Sequence, residues 1–335
     1  MDPVTHLLSS YALARAMRNR LASPEMAVFL LGGLAPDVDW FWRLGPPLHP
    51  LRAYGTAGHS LLGAGALALA VAAAAWAASR RNALPGASFL RLAGAGATGA
   101  ALHVLLDLCA NTGIELFWPF RVTRISWNLA EGFDPILLAL LALCAFLPAL
   151  LSLVSEEIGA RKDARAGRGW GVTALLLVML YLGGRWILRD RAVTLLANAR
   201  FHSRAPLHWE AFPEGVSLFA WRGMVETEAT LEEIEVRVGP GDSFDPDRSR
   251  THFKPDPSPI VDAVAKTSLA GAFRSLARFP VLSIEHTLDG YRTELRDLGG
   301  PPLRTPGGAW VARVELDEQG KSRTQELDFV PEKKP

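Results

Sequence analysis

The chain changes its hydrophobic rhythm partway along. Residues 61–78, 92–110, 136–154 and 172–188 are long apolar runs of Ala, Leu, Val and Gly, each close to the roughly 20 residues that an α-helix needs to cross a bilayer. Unpaired backbone is not tolerated in lipid, so each run predicts a spanning helix. Two weaker helices are expected ahead of them, over residues 4–20 and 24–34, separated by the helix-stopping Ala-Ser-Pro of residues 22–24. Beyond residue 199 the pattern turns polar and alternating. Residues 216–223, 234–238, 290–298 and 309–317 repeat with the period of two that marks strands, whereas residues 260–279 place apolar side chains at helical spacing. Residues 239–259 are turn-rich; their Asp242, Asp245 and Asp247 are out of register for a calcium loop. The expected fold is mainly α: a polytopic transmembrane helical bundle over residues 1–190, followed by a small soluble α+β domain over residues 199–335.

Charge adds an orientation. The net charge of +1 leaves no basic footprint for nucleic acid, and none is expected as a partner. Basic residues concentrate instead in alternate connections. Arg15, Arg18, Arg20, Arg80, Arg81, Arg91, Arg161, Lys162, Arg165 and Arg168 lie on one side, against Arg43, Arg52, Arg121 and Arg124 on the other; Arg185, Arg189 and Arg191 at the last span run against this count. The positive-inside rule then places the lightly charged ends, and the domain after the last span, on the outer side of the membrane. The cysteines, Cys109 and Cys144, both sit in apolar runs and read as buried small hydrophobes.

The ionisable residues at the predicted outer ends are the candidate chemistry. His6 opens the first helix, Asp37 and Asp39 follow the second in APDVDW, His59 precedes the third in AGHSLLG, and His103 and Asp107 lie four apart in ALHVLLD. A spacing of four puts His103 and Asp107 on one helix face, and ionisable groups within a span usually point at an interior site. Histidine and carboxylate donors suit zinc best, with manganese or iron as alternatives. His6, Asp37, Asp39, His59, His103 and Asp107 are therefore the candidate ligands of one or two divalent ions. Asp37 and Asp39 are expected on a non-helical turn, where one could orient an imidazole from behind. Asp39 and Glu115 are the candidate catalytic groups, with Glu131 a further candidate base. Asp134, followed by Pro135, reads as a helix cap. Gly94-Ala95-Gly96-Ala97-Thr98-Gly99 matches a dinucleotide fingerprint letter for letter, but inside an apolar helix it predicts close helix packing instead. Trp118 and Trp127, in the loop after the His103 helix, read as an interfacial aromatic belt.

The ordered series MDPVTH, APDVD, GHS and HVLLDLCANTGIELFWPF resembles the YdjM-like family of membrane-bound, predicted metal-dependent hydrolases over about residues 1–190. This chain departs from that pattern at Ala57-Gly58, where a Thr commonly precedes the histidine. The resemblance implies a bacterial inner-membrane protein whose metal set is His6, Asp37, Asp39, His59, His103 and Asp107. That ligand set is also distantly similar to zinc-dependent phospholipase C, which implies phosphoester chemistry by metal-activated water on a membrane lipid or other amphiphile. The alternative is a non-catalytic membrane scaffold with a structural metal and a partner-binding soluble domain.

Overall fold

The computed structural model describes residues 1–17, 24–44, 55–81, 88–157, 166–239, 244–301, 303–305 and 307–331. Of the basic residues counted for orientation, Arg18, Arg20, Arg52, Arg161, Lys162 and Arg165 lie outside them, as does Asp242. The chain divides into two compact units, Met1–Trp42 with Ala53–Trp186 and Arg43–Arg52 with Ile187–Pro335.

The first unit is helical. It contains α1 (Pro3–Met17), α2 (Pro24–Leu34), a 3-10 helix (Ala35–Leu44), α3 (Leu61–Arg81), α4 (Phe89–Cys109), α5 (Pro135–Glu157) and the greater part of α6 (Ala166–Asn198). Among the described residues four helices are long and apolar enough to cross a membrane: α3, α4, residues Pro135–Ser152 of α5 and Arg168–Asn198 of α6. Of the apolar window of α4, 56% is buried within the protein, against 17%, 17% and 22% for the other three. Helix α4 is thus the central one, and the others turn most of their surface outward.

Glycines let α2 approach α4 backbone to backbone. A Cβ on Gly32 would lie 2.5 Å from the Gly96 carbonyl oxygen, and one on Gly99 would overlap the carbonyl of Phe29. The GAGATG run is a packing surface, and it brings the end of α2 against the turn of α4 that carries His103. Around this contact Ala14, Met26, Phe29 and Ala95 form one apolar cluster and Val28, Ala72, Leu92 and Ala93 another.

The second unit carries two antiparallel sheets. Strands β1 (His208–Pro213), β2 (Ala220–Glu226), β3 (Thr230–Arg237) and β4 (Arg250–Phe253) pair in sequence order. In the second sheet β5 (Pro280–Thr287) pairs with β6 (Gly290–Asp297), β6 with β8 (Gly308–Leu316), and β8 with both the short β7 (Arg304–Thr305) and β9 (Ser322–Pro331). Two short helices, α7 (Pro259–Ala265) and α8 (Ser268–Arg274), pack on this sheet through Val264, Leu269 and Phe273.

Several expectations need correction. Residues 260–279 are two helices rather than one, because the Thr267 hydroxyl caps α8 by accepting from the Ala270 amide. Residues 216–219 are loop, with Val216 66% exposed, and the strand begins at Ala220. Residues 239–259 are not all loop: β4 lies among them, and Asp245 caps a short 3-10 turn through the Asp247 amide. Helix α6 continues past residue 188 because Ala192 and Leu196 are buried against Trp221, Val225 and Ile234 of the first sheet. Asp37 and Asp39 lie on a 3-10 helix, not on a non-helical turn.

Candidate metal centre

Each candidate ligand is placed by a local device. On α1, Asp2 caps the helix by accepting from the Thr5 amide (2.9 Å) and hydroxyl (2.6 Å), and Pro3 occupies the first helical position. His6 then falls one turn in, 1% exposed. On α4, His103 and Asp107 share the buried face, each also 1% exposed. The His103 Nδ1 lies 2.7 Å from the carbonyl of Gly33, one of the last carbonyls of α2, which have no partner within that helix. A carbonyl only accepts, so Nδ1 carries a proton there and Nε2 is the ring nitrogen that faces inward.

His59 is set by a tight turn before α3. Ser60 caps α3, its Oγ accepting from the Gly63 amide at 3.0 Å. Gly58 lies so close to the 3-10 helix that a Cβ there would sit 2.6 Å from Asp39 Oδ1 and 2.8 Å from the Pro36 carbonyl. A side chain at position 58 would therefore collide with the 3-10 helix. Asp39 Oδ2 accepts from the Gly58 amide at 3.1 Å and lies 3.1 Å from His59 Nδ1. It thus fixes the His59 ring from behind and leaves Nε2 facing Asp107. Asp37 is two residues earlier, and a 3-10 helix has three residues per turn, so the two carboxylates point in different directions. Asp37 Oδ1 is 3.8 Å from His59 Nε2 and 3.9 Å from His103 Nε2.

These devices converge on Asp107. Its Oδ1 is 3.2 Å from His6 Nε2, and its Oδ2 is 3.2 Å from His59 Nε2 and 3.1 Å from His103 Nε2. The amino group of Met1 also contacts Oδ1. The rings of His6 and His103 stack with centroids 3.6 Å apart, and those of His59 and His103 lie 5.1 Å apart. Two sets of three donors, His6, Asp37 and His103, and His59, His103 and Asp107, have their ligand atoms within 4.8 Å of one another. Two donors on one tetrahedral ion, each about 2.0–2.1 Å away, are themselves roughly 3.3 Å apart. Both sets draw on His103, whose Nε2 offers a single lone pair.

The electrostatics suit a cation. Burial, reinforced by the neighbouring His103 ring, lowers the pKa of His6 to about 4 against the opposing pull of Asp107. Burial also opposes charge on His59, but Asp37, Asp39 and Asp107 outweigh it and raise its pKa to about 9. Asp37 is raised by burial and lowered by His59 and the other histidines, and the lowering prevails. Both nitrogens of His6, the Nε2 of His103, Oδ2 of Asp37 and Oδ2 of Asp107 are buried without a hydrogen bond. Buried donors and acceptors are nearly always bonded. His103 Nε2 and Asp107 Oδ2 face one another at 3.1 Å, and an ion held between them would satisfy both. The residues therefore fit a divalent ion.

All six candidate ligands meet, but not in equivalent places. Asp39 stands behind His59, and Glu115 contributes to neither set of donors. The Glu115 carboxylate is 3.7 Å from Arg124, its amide donates to the Gly55 carbonyl at 2.7 Å, and burial pushes its pKa up against the pull of Arg124. Asp134 is a cap, accepting from the Ile136 and Leu137 amides at 3.1 and 3.0 Å and from the Tyr181 hydroxyl at 2.7 Å. Sequence reasoning missed the Gly33 carbonyl, which no side chain announces. It also missed the Asp2 cap, for which Asp-Pro at residues 2–3 is a recognisable signal.

No curated protein and no solved structure matches the chain. A family model does, over residues 1–192, which include every residue of the cluster, and by that match the chain belongs to the YdjM inner membrane protein family.

Proposed function

We propose that this inner-membrane protein is a metal-dependent hydrolase acting on an amphiphile, most simply a phosphoester of a lipid. The observation that carries the reading is the convergence of three imidazole Nε2 atoms on one buried carboxylate at 3.1–3.2 Å, with His103 Nε2 and Asp107 Oδ2 left unbonded. His6, Asp37, His59, His103 and Asp107 would hold one or two ions, zinc fitting best. A divalent ion supplies Lewis acidity and brings the pKa of a coordinated water toward about 7. The chain supplies orientation. Gly33 orients the His103 ring, Asp39 orients that of His59, and Asp37, with 13% of its side chain exposed against 0–1% for the three histidines and Asp107, is the most exposed of the donors.

Helix α3 ends in Arg80 and Arg81, and α4 begins near Arg91, at the opposite end of both helices from the cluster. With basic ends inward, the cluster faces outward. The even number of spans after His59 would return the domain that follows α6 to the same side.

A second reading draws on the near-complete burial of the donors. A cluster that joins α1, the 3-10 helix, the turn before α3 and α4 could staple the bundle without catalysis, in which case the ion would be closed by protein ligands alone. Incubating purified protein with a lipid extract and added zinc or manganese separates the two. Release of a cleaved headgroup that stops on chelation supports the hydrolase; full metal loading with no product from any lipid class favours the staple.

A further inference from the structure

The segment between α4 and α5 forms a hairpin whose tip is apolar and uncovered. Its base is fixed: Ile114 and Ile125 exchange backbone hydrogen bonds at 3.0 and 2.9 Å, and Ile114 is buried with Ala64, Val104 and Leu108. The turn is closed by the Trp118 amide on the Glu115 carbonyl (3.0 Å) and by the Phe120 and Arg121 amides on the Phe117 carbonyl (2.9 and 3.1 Å). Beyond that base, FWPFRVT at residues 117–123 is exposed at every position, Phe120 by 81% and Val122 by 73%.

Its location says what covers it. The hairpin follows the C-terminal end of α4, and its Leu116 carbonyl accepts from the amide of Leu61, the first residue of α3. Both helices have the length and composition of membrane spans. The tip therefore stands where hydrocarbon gives way to headgroups, the layer in which aromatic rings settle. Arg121, the one charged residue of the tip, has the chemistry to meet a lipid phosphate there. The same hairpin is tied to the cluster, since the Glu115 amide bonds the carbonyl of Gly55 in the turn that carries His59.

We propose that residues 117–122 seat in the lipid leaflet on the cluster's side of the membrane, and that the amphiphile reaches the cluster laterally from that leaflet along this hairpin. The seating stands by itself; the route rests on the hydrolase reading.

The test places a polarity-sensitive thiol label at Phe120→Cys in full-length protein reconstituted into vesicles of phosphatidylethanolamine and phosphatidylglycerol. Cys109 and Cys144 are buried, and unsubstituted protein gives the labelling background. Leu180→Cys, on the exposed face of a span, and Arg248→Cys, on the exposed polar 3-10 turn, are the references. The label at 120 is expected to be quenched by spin-labelled lipid carrying its label high on the acyl chain, and several-fold less by aqueous iodide. Quenching by iodide as at 248, with none by lipid, overturns the seating. For the route, Phe120→Asp with Val122→Asp is expected to lower cleavage of vesicle-embedded lipid about tenfold or more, the scale of losing one buried aromatic contact, at unchanged metal content. Unchanged cleavage by that variant overturns the route. A wild type without metal or cleavage would overturn the hydrolase reading, and the route with it, while the quenching result decides the seating independently.

Discussion

Asp39 separates a ligand from a residue that aims one. Its Oδ2 holds the His59 ring at 3.1 Å and the Gly58 amide at 3.1 Å, so Asp39→Asn keeps the shape and one acceptor oxygen but removes the charge. Replacing a group that orients a metal-bound imidazole typically weakens metal affinity 10–100-fold, which is about 1.4–2.7 kcal/mol. Asp39→Ala goes further and leaves two donors without their acceptor. At roughly 1–3 kcal/mol for each unsatisfied group, the fold should lose about 2–6 kcal/mol even without metal. The assay is titration of metal-stripped protein in detergent against a chromophoric chelator, paired with thermal unfolding of the metal-free forms. The Asn variant should bind one to two decades more weakly and unfold nearly as wild type does, and the Ala variant should lose both affinity and stability. Wild-type affinity in the Asn variant would refute an orienting role, and total loss of binding would make Asp39 a ligand in its own right.

Asp107→Ala should abolish metal binding and any lipid cleavage while the bundle still inserts, whereas Asp134→Asn should change turnover little, since Asn still caps α5; turnover at matched membrane expression would contradict this if the order of severity were reversed. Gly32→Ala forces a Cβ to 2.5 Å from the Gly96 carbonyl and should destabilise the α2–α4 contact by about 1–3 kcal/mol, read as a lower unfolding temperature, and an unchanged temperature would mean the helices are not in backbone contact. Because the pKa of His59 is raised to about 9 in the metal-free cluster, its ring is protonated at neutral pH and an ion binding at Nε2 must displace that proton. Affinity should therefore rise with pH through neutrality and level off above about 9, and calorimetry in buffers of different ionisation enthalpy should detect the release. A pH-independent affinity would exclude His59 Nε2 as a donor.

How much of this was legible in the sequence depended on where each element gets its stability. The spanning helices advertise themselves because their outward faces need apolar residues, so runs such as 136–154 stand out unaided. Helix α6 was read about ten residues short because residues 189–198 are polar enough to suggest an end. Only burial of Ala192 and Leu196 against the first sheet shows that the helix goes on. Strand β9 escaped notice because it pairs with β8 alone and most of its side chains are solvent-facing, which erases the alternation on which strand reading relies. Strand β4 is four residues hidden among turn-formers. At the cluster, the order of the motifs pointed to all six residues. The difference between Asp37 and Asp39 was not legible, because it comes from the 3-10 winding that turns neighbouring carboxylates apart. Glu115 looked like a base from its place in the loop, and only the fold reveals Arg124 beside it.

Metal content of purified, detergent-solubilised protein, loaded with zinc or manganese and freed of excess ion, decides whether the buried cluster is a metal centre. One or two divalent ions per wild-type chain are expected, with stoichiometry falling toward zero when His103 or Asp107 is replaced by alanine. A wild-type chain that retains no ion, or alanine variants that retain as much as the wild type, would contradict that assignment.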